Sequence, residues 1–140
     1  MKVQELETLL KKHGLRRTDI RLQVLGAFQH QDMAYSQQDL QQAVGEIDRV
    51  TLYRTLRSFE DKGLIHRAID GTDQAKYALC QEACTTHEHK DDHAHFHCTN
   101  CGRTICIEDI QVPSLDLPNG FQAEEAQIVL RGVCDQCSQQ

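Results

Sequence analysis

Residues 48–79 read DRVTLYRTLRSFEDKGLIHRAIDGTDQAKYAL, and the fold turns on this stretch. Asp48 has the side chain of a helix N-cap, Leu52, Leu56 and Phe59 recur as a helical core face, and Gly63 supplies the stop. Arg49, Tyr53, Arg54 and Arg57 are left for the rest of that helix surface. Beyond the glycine, 64–69 and 76–79 read as two strands around a loop containing Asp70 and Gly71. A helix that feeds a β-hairpin is the end of a winged helix-turn-helix.

Working outward toward the N-terminus, Val3, Leu6, Leu9 and Leu10 predict a first helix that stops at Gly14. Arg16 and Arg17 form a basic step before Thr18, which caps a second helix expected to bury Ile20, Val24 and Phe28. Ser36 and Asp39 have the spacing of a capping box, opening a short helix that buries Leu40 and Val44 and stops near Gly45. Residues 1–79 therefore read as a winged-helix DNA-binding domain.

Toward the C-terminus, the polar, His-rich stretch 80–92 reads as a hinge, and 93–140 as a second domain. Within it, 93–98, 104–108 and 126–130 alternate as three strands, while Pro113 and Pro118 argue against a long helix between the last two and leave room for a short turn. The expected fold class is α+β: an N-terminal winged helix-turn-helix, then a small α/β domain with a three-stranded sheet.

Charge divides along the same boundary. Residues 1–79 carry 12 Lys/Arg against 11 Asp/Glu, whereas 80–140 carry 3 against 10, within a formal net charge of -6. A near-neutral half with clustered arginines suits phosphates, and an acidic half rich in histidine suits cations. The seven cysteines are an odd number, no N-terminal stretch reads as a positive flank followed by an apolar run, and no apolar segment is expected to span a bilayer. A cytosolic location follows as the expectation, and reduced thiols are then read first as metal ligands.

Cys98-x-x-Cys101-Gly and Cys134-x-x-Cys137 supply four thiolates in two knuckles, the pattern of a structural tetrahedral zinc. A single redox pair would leave the other Cys-x-x-Cys idle, so a thiol-disulfide reading is the poorer one. Such a site can contribute ~10 kcal/mol or more to folding, so 93–140 should depend on it.

A second cluster surrounds it: Cys80, Cys84, His87, His89, His93, His95, His97 and Cys106. His93, His95 and His97 alternate, so one strand face takes all three and Cys98 takes the other. Cys106 on the next strand, Cys80 just past the wing and His66 on the wing itself can converge on His93 and His95. Five candidates exceed a tetrahedral shell, so at least one is a spectator. Two imidazoles with two thiolates would neutralise Zn²⁺ and favour it over ferrous iron. Cys84, His87 and His89 also read as a metal-scavenging loop, and His97 as a residue that packs beside the quartet.

Gly14-Leu15-Arg16, Thr51-Leu52-Tyr53-Arg54-Thr55-Leu56, Gly63-Leu64-Ile65, His93-x-His95-x-x-Cys98-x-x-Cys101-Gly and Gly132-x-Cys134-x-x-Cys137 together resemble the ferric uptake regulator family over nearly the whole chain. That resemblance implies a homodimeric repressor with an N-terminal winged helix and a C-terminal α/β dimerisation domain. The zinc uptake regulator branch is most similar, having a wing ligand at the position of His66, a cysteine at that of Cys80 and histidines like His93 and His95. Cys106 stands where iron and zinc regulators usually present Glu, and Ala34 stands where iron sensors have a His. Asp92, Ala94 and Pro113 do not supply the ligands of the family's additional metal site, which is expected to be absent. The family's helix after the second dimerisation strand is expected to be missing as well.

By the same resemblance, Tyr53 contacts thymine, Arg54 a base or phosphate, and Arg16 an adjacent minor groove. The implied function is a zinc-responsive repressor of metal-uptake genes that acts as a homodimer on a palindromic operator, with two Zn²⁺ per chain. Thiols beside imidazoles leave open a redox- or peroxide-responsive alternative, or an iron-responsive one. No nucleophile, base and orienting group assemble, so an enzyme is not expected.

Overall fold

The computed structural model describes residues 2–30, 32–79, 94–107, 113–124 and 126–139. Helix α1 (Val3–Lys12) buries Leu6 and Leu10 and ends ahead of Gly14. Gly14 has φ 72°, a conformation in which a Cβ would be strained. Helix α2 (Asp19–Gly26) starts where the Thr18 side chain accepts from the Arg21 amide. Strand β1 (Met33–Ser36) leads into α3 (Gln37–Val44), whose capping box forms through two Ser36–Asp39 hydrogen bonds of 3.1 Å. Helix α4 (Arg49–Asp61) is capped by Asp48 and buries Leu52, Leu56 and Phe59, as its spacing requires.

The core of this half joins Leu10, Val24, Leu25, Phe28, Leu40, Leu52, Leu56, Phe59, Leu64 and Ile65. Each large side chain so buried contributes roughly 1.5–3 kcal/mol relative to exposure. The second helix departs from the expected face. Ile20 is 42 % exposed, and Leu25 takes its place beside Val24. Phe28 is buried beyond the helix end, because a tightened last turn (Ala27 N–H to Val24 O 3.1 Å, Phe28 N–H to Leu25 O 3.2 Å) swings it inward.

Strands β2 (Ile65–Ala68) and β3 (Lys76–Leu79) form the antiparallel wing. Strands β4 (Ala94–Cys98), β5 (Thr104–Ile107) and β6 (Ile128–Gly132) form the expected second group, with β5 antiparallel and β6 parallel to β4. Helix α5 (Asp135–Ser138) is a single turn. Among the described residues between β5 and β6 there is no helix, in keeping with Pro113 and Pro118. None of the described helices is long and apolar enough to cross a membrane. The expected hinge, 80–92, lies outside the described residues.

The two groups of strands belong to one six-stranded sheet in the order β2-β3-β1-β5-β4-β6. Strand β1 is the join. It pairs with β3 on one side (Ala34 opposite Ala78) and with β5 on the other (Ala34 opposite Thr104), and the Cys106 amide donates to Asp32 O at 2.6 Å. The wing is therefore hydrogen-bonded, through β1, to the strands that carry the metal-ligand motifs.

Candidate metal centres

Two groups of His and Cys side chains among the described residues lie close enough to share an ion: Cys98, Cys101, Cys134 and Cys137, and His66, His95 and Cys106. In each group the potential ligand atoms lie within 4.8 Å of one another.

The quartet is built by two turns. After β4 the Gly102 amide returns to Cys98 O (2.9 Å), and Gly102 takes φ 80°, which lets Cys98 and Cys101 face the same point. Helix α5 presents Cys134 at its N-cap and Cys137 one turn on. The Thr99 amide bonds Gly132 O at 2.8 Å and Arg103 pairs with Asp135 at 2.7 Å, so the knuckles are held together by the backbone and by an ion pair. Cys101 Sγ and Cys134 Sγ are 3.8 Å apart. Zinc–sulfur bonds of ~2.3 Å in a tetrahedron put sulfurs about that far apart.

Electrostatics points the same way. The amides of Cys101 and Cys134, 3.5 and 3.4 Å from the Cys98 sulfur, lower the Cys98 thiol to about 6. The Cys137 amide lowers Cys134. At Cys137 the Asn100 side chain favours the thiolate, but the crowded sulfurs of Cys134, Cys98 and Cys101 outweigh it and push the thiol up to about 11. Four thiolates in this space repel one another unless a cation sits among them, so the donor set fits zinc.

The second group draws on three strands: His66 from β2, His95 from β4 and Cys106 from β5, all buried. His95 and Cys106 are cross-strand partners. His66 comes from the far side of the sheet, and its Nε2 is 3.7 Å from Cys106 Sγ. The His66 and His95 ring centroids are 6.1 Å apart. Three strand spacings separate β2 from β5, roughly 14 Å across a flat sheet, so the sheet must curl. The strands between carry Ala34 and Ala78, which form a buried cluster with Ala68 and Cys106 on this concave face. The donors are soft sulfur and imidazole nitrogen, a set that suits zinc.

His97 shares the face of His95, as alternation predicts, but does more than pack beside the quartet. Its Nδ1 lies 3.0 Å from Thr104 Oγ1 and 3.4 Å from Asp70 Oδ2. Asp70, Lys76 and Thr104 form a buried polar group that sequence reading passed over, taking Asp70 for a turn residue. A lysine opening a strand and a threonine within one carry no signal of mutual contact. The remaining candidates, Cys80, Cys84, His87, His89 and His93, lie outside the described residues.

In the winged half, α4 exposes Arg49, Tyr53, Arg54 and Arg57 while its other face fills the core. Tyr53 is 44 % exposed, unusual for a ring that the core does not need. Arg16 is exposed in the turn before α2, where its carbonyl accepts from Arg21 Nη1 at 2.7 Å.

A winged helix with a basic exposed face, joined through one sheet to cysteine and histidine clusters suited to metal, defines a metal-responsive DNA-binding regulator. Residues 12–130 match the model of the Ferric uptake regulator family, and the chain belongs to that family. It is 32% identical over 137 residues to the ferric uptake regulation protein of Bordetella parapertussis, covering 91% of this chain and 93% of that one. It is 33% identical over 144 aligned residues to the ferric uptake regulation protein of Staphylococcus aureus, covering 98% of each chain. A solved structure described as a zinc uptake regulator complexed with zinc and DNA superposes with a TM-score of 0.63 at 23% identity, over 99% of this chain and 97% of that one. Members of the family are transcription regulators, not enzymes, and this chain is a metal-responsive transcriptional regulator of that kind.

Proposed function

We propose that the chain is a zinc-responsive repressor of metal-uptake genes, acting in the cytoplasm as a homodimer on a palindromic operator. The observation that carries this reading is the convergence of His66, His95 and Cys106 from three strands. Cys80, which directly follows β3, or His93, which directly precedes β4, would complete a tetrahedral set. Either choice keeps sulfur in the shell, which favours zinc over ferrous iron. The quartet would hold a second, structural zinc, making two ions per chain.

Zinc supplies a cation that these donors share, and the chain's own residues do the rest. His66 commits the wing to the sheet, and the wing fixes the orientation of α4. In a homodimer the two α4 helices are then held at one separation, matched to operator half-sites. Exposure of Leu115, Leu117 and Phe121 in the C-terminal half supports self-association. Arg49, Arg54 and Arg57 would meet phosphate or guanine, Tyr53 a thymine methyl, and Arg16 an adjacent minor groove. Metal at a hundred times Kd stabilises the competent form by ~2.7 kcal/mol, about a hundredfold in operator affinity if that form alone binds.

The Cys106–His66 contact of 3.7 Å also sets a thiol beside an imidazole, which supports a second, peroxide-responsive reading. One experiment separates the two. Purified protein is expected to hold two zinc ions per chain, falling to one in Cys80→Ser and in Cys106→Ser. Operator affinity should rise with zinc and should rise less with iron. Zinc-indifferent DNA binding that is lost at low peroxide would replace the zinc reading with the redox one.

A further inference from the structure

The wing is tied to the sheet by a second device that lies outside both candidate metal clusters. Asp70, in the loop between the two wing strands, is 1 % exposed. Its Oδ1 accepts from the Thr72 amide (3.0 Å) and hydroxyl (2.6 Å), both within the wing. Its Oδ2 accepts from Lys76 Nζ of the wing and from Thr104 Oγ1 of β5 at 2.7 Å. Thr104 spends its one hydroxyl proton on Asp70, so its oxygen can only accept from Lys76 Nζ (3.1 Å) and from His97 Nδ1 (3.0 Å). His97 therefore carries its proton on Nδ1, and all four side chains are buried.

Apolar surfaces in contact can slide and still exclude water, but a buried carboxylate with a fixed ring of donors is satisfied in a single register. Buried ionic groups stabilise weakly compared with well-packed apolar ones, and their best-attested use is to specify one arrangement. The arrangement specified here bears on the metal cluster. His97–Thr104 and His95–Cys106 are cross-strand pairs on the same face, two residues apart, which is roughly 7 Å along the strands. On the wing, His66 and Asp70 lie on the same hairpin, so whatever fixes Asp70 over Thr104 fixes where His66 arrives.

We propose that Asp70, Lys76, Thr104 and His97 are positioning residues that latch the wing onto β5, setting His66 against His95 and Cys106 and so coupling metal binding to DNA binding. This inference rests on the sensing role proposed for the His66–His95–Cys106 cluster. The latch works by raising the population of closed protein available to the metal: apparent affinity scales with the fraction of competent molecules. Coupling is reciprocal, so a weaker latch lowers affinity for metal and for DNA together.

The test compares Thr104→Val, which keeps shape and deletes the hydroxyl, with Thr104→Ser, which keeps the hydroxyl, and with Thr72→Val, which removes a bond to the same carboxylate from inside the wing. Each is made in the full-length chain, and the probes are zinc itself and a duplex selected by the wild-type protein from a random pool. Thr104→Val is expected to speed amide exchange at 33–36 and 104–107 at least tenfold, and to weaken both the second zinc and the duplex at least tenfold. Thr104→Ser and Thr72→Val should stay within about threefold of wild type. If Thr104→Val fails to fold, Thr104→Ala makes the same deletion without the added methyl. Wild-type exchange and binding in the hydroxyl-deleted protein would overturn the latch. A zinc count that stays at two in Cys106→Ser would overturn the sensing assignment instead, and the exchange comparison between Val and Ser at 104 would still decide the latch.

Discussion

Ala34 shows how a residue with no reactive group can shape a candidate metal site. It sits in β1 between Ala78 of β3 and Thr104 of β5, on the concave face that the curled sheet presents to His66, His95 and Cys106. With Ala68 and Ala78 it forms a floor of single methyls, over which the wing folds far enough for His66 to reach Cys106. Adding volume there must either displace the wing or strain the sheet, at a cost of about 1–3 kcal/mol. Ala34→Val is therefore expected to weaken the second zinc by roughly five- to a hundredfold while leaving the first in place, measured by competition with a chromophoric chelator. Equal loss of both ions would mean general unfolding and not a lost floor. The donors themselves were legible in the sequence, because His and Cys are rare and chemically specific. The floor was not: alanine marks smallness only once its neighbours are known, and in the sequence Ala34 registered only as a missing histidine.

At the level of elements, legibility followed the range of the interactions. Thr18, Ser36 and Asp48 cap their helices through contacts three residues away, so α2, α3 and α4 could be started correctly from local chemistry. Strand β1 had no such signal. Its four residues sit between two helices, and both of its partners, β3 and β5, are distant in sequence. The strands β4 and β6 with α5 represent the opposite case, in which local pattern is clear but local stability is poor. Strand β6 has no buried residue, and α5 is one turn with no side-chain cap. Parallel pairing joins β6 to β4 from Ala94–Ile128 to Cys98–Gly132, and the quartet, with Thr99–Gly132 and Arg103–Asp135, ties α5 and the ends of both strands together. Stripping zinc under reducing conditions is expected to abolish amide protection in 94–98 and 128–138 while α1, α2 and α4 keep theirs, because their core contains no metal donor. Retained protection in 128–138 of verified metal-free protein would show that the sheet holds these segments unaided.

For the molecule as a whole, the consequential feature is the continuous sheet, which makes the DNA-binding half and the metal-binding half one structure with a seam at β1 and β5. Each half could be read from its own motifs, but the seam could not, since it consists of backbone pairing and a carboxylate that looks like any turn aspartate. That carboxylate also makes the seam sensitive to acid. Burial alone would raise the Asp70 pKa, but hydrogen bonds from Lys76, Thr72 and Thr104 outweigh it and hold the carboxyl well below the usual carboxylate range. A folded-state pKa below the unfolded value of about 3.9 means that folding favours the ionised form. The stabilisation is then complete above that value and is lost as pH falls below it, as the unfolded chain takes up a proton that the folded one resists. Asp70→Asn removes this proton linkage and leaves Lys76 buried without its counter-charge, so the variant should be less stable near neutrality. Between about pH 5 and 3, wild-type stability should fall more steeply than that of Asp70→Asn, with a difference in slope that integrates to about 1 kcal/mol. Zinc dissociates from thiolates in the same range, so both proteins are best compared by urea unfolding of the α1–α4 core, followed through tyrosine fluorescence, at the same total zinc. Parallel pH profiles would mean that Asp70 is not ionised in the seam, and the network would then have to be redrawn around a neutral carboxyl.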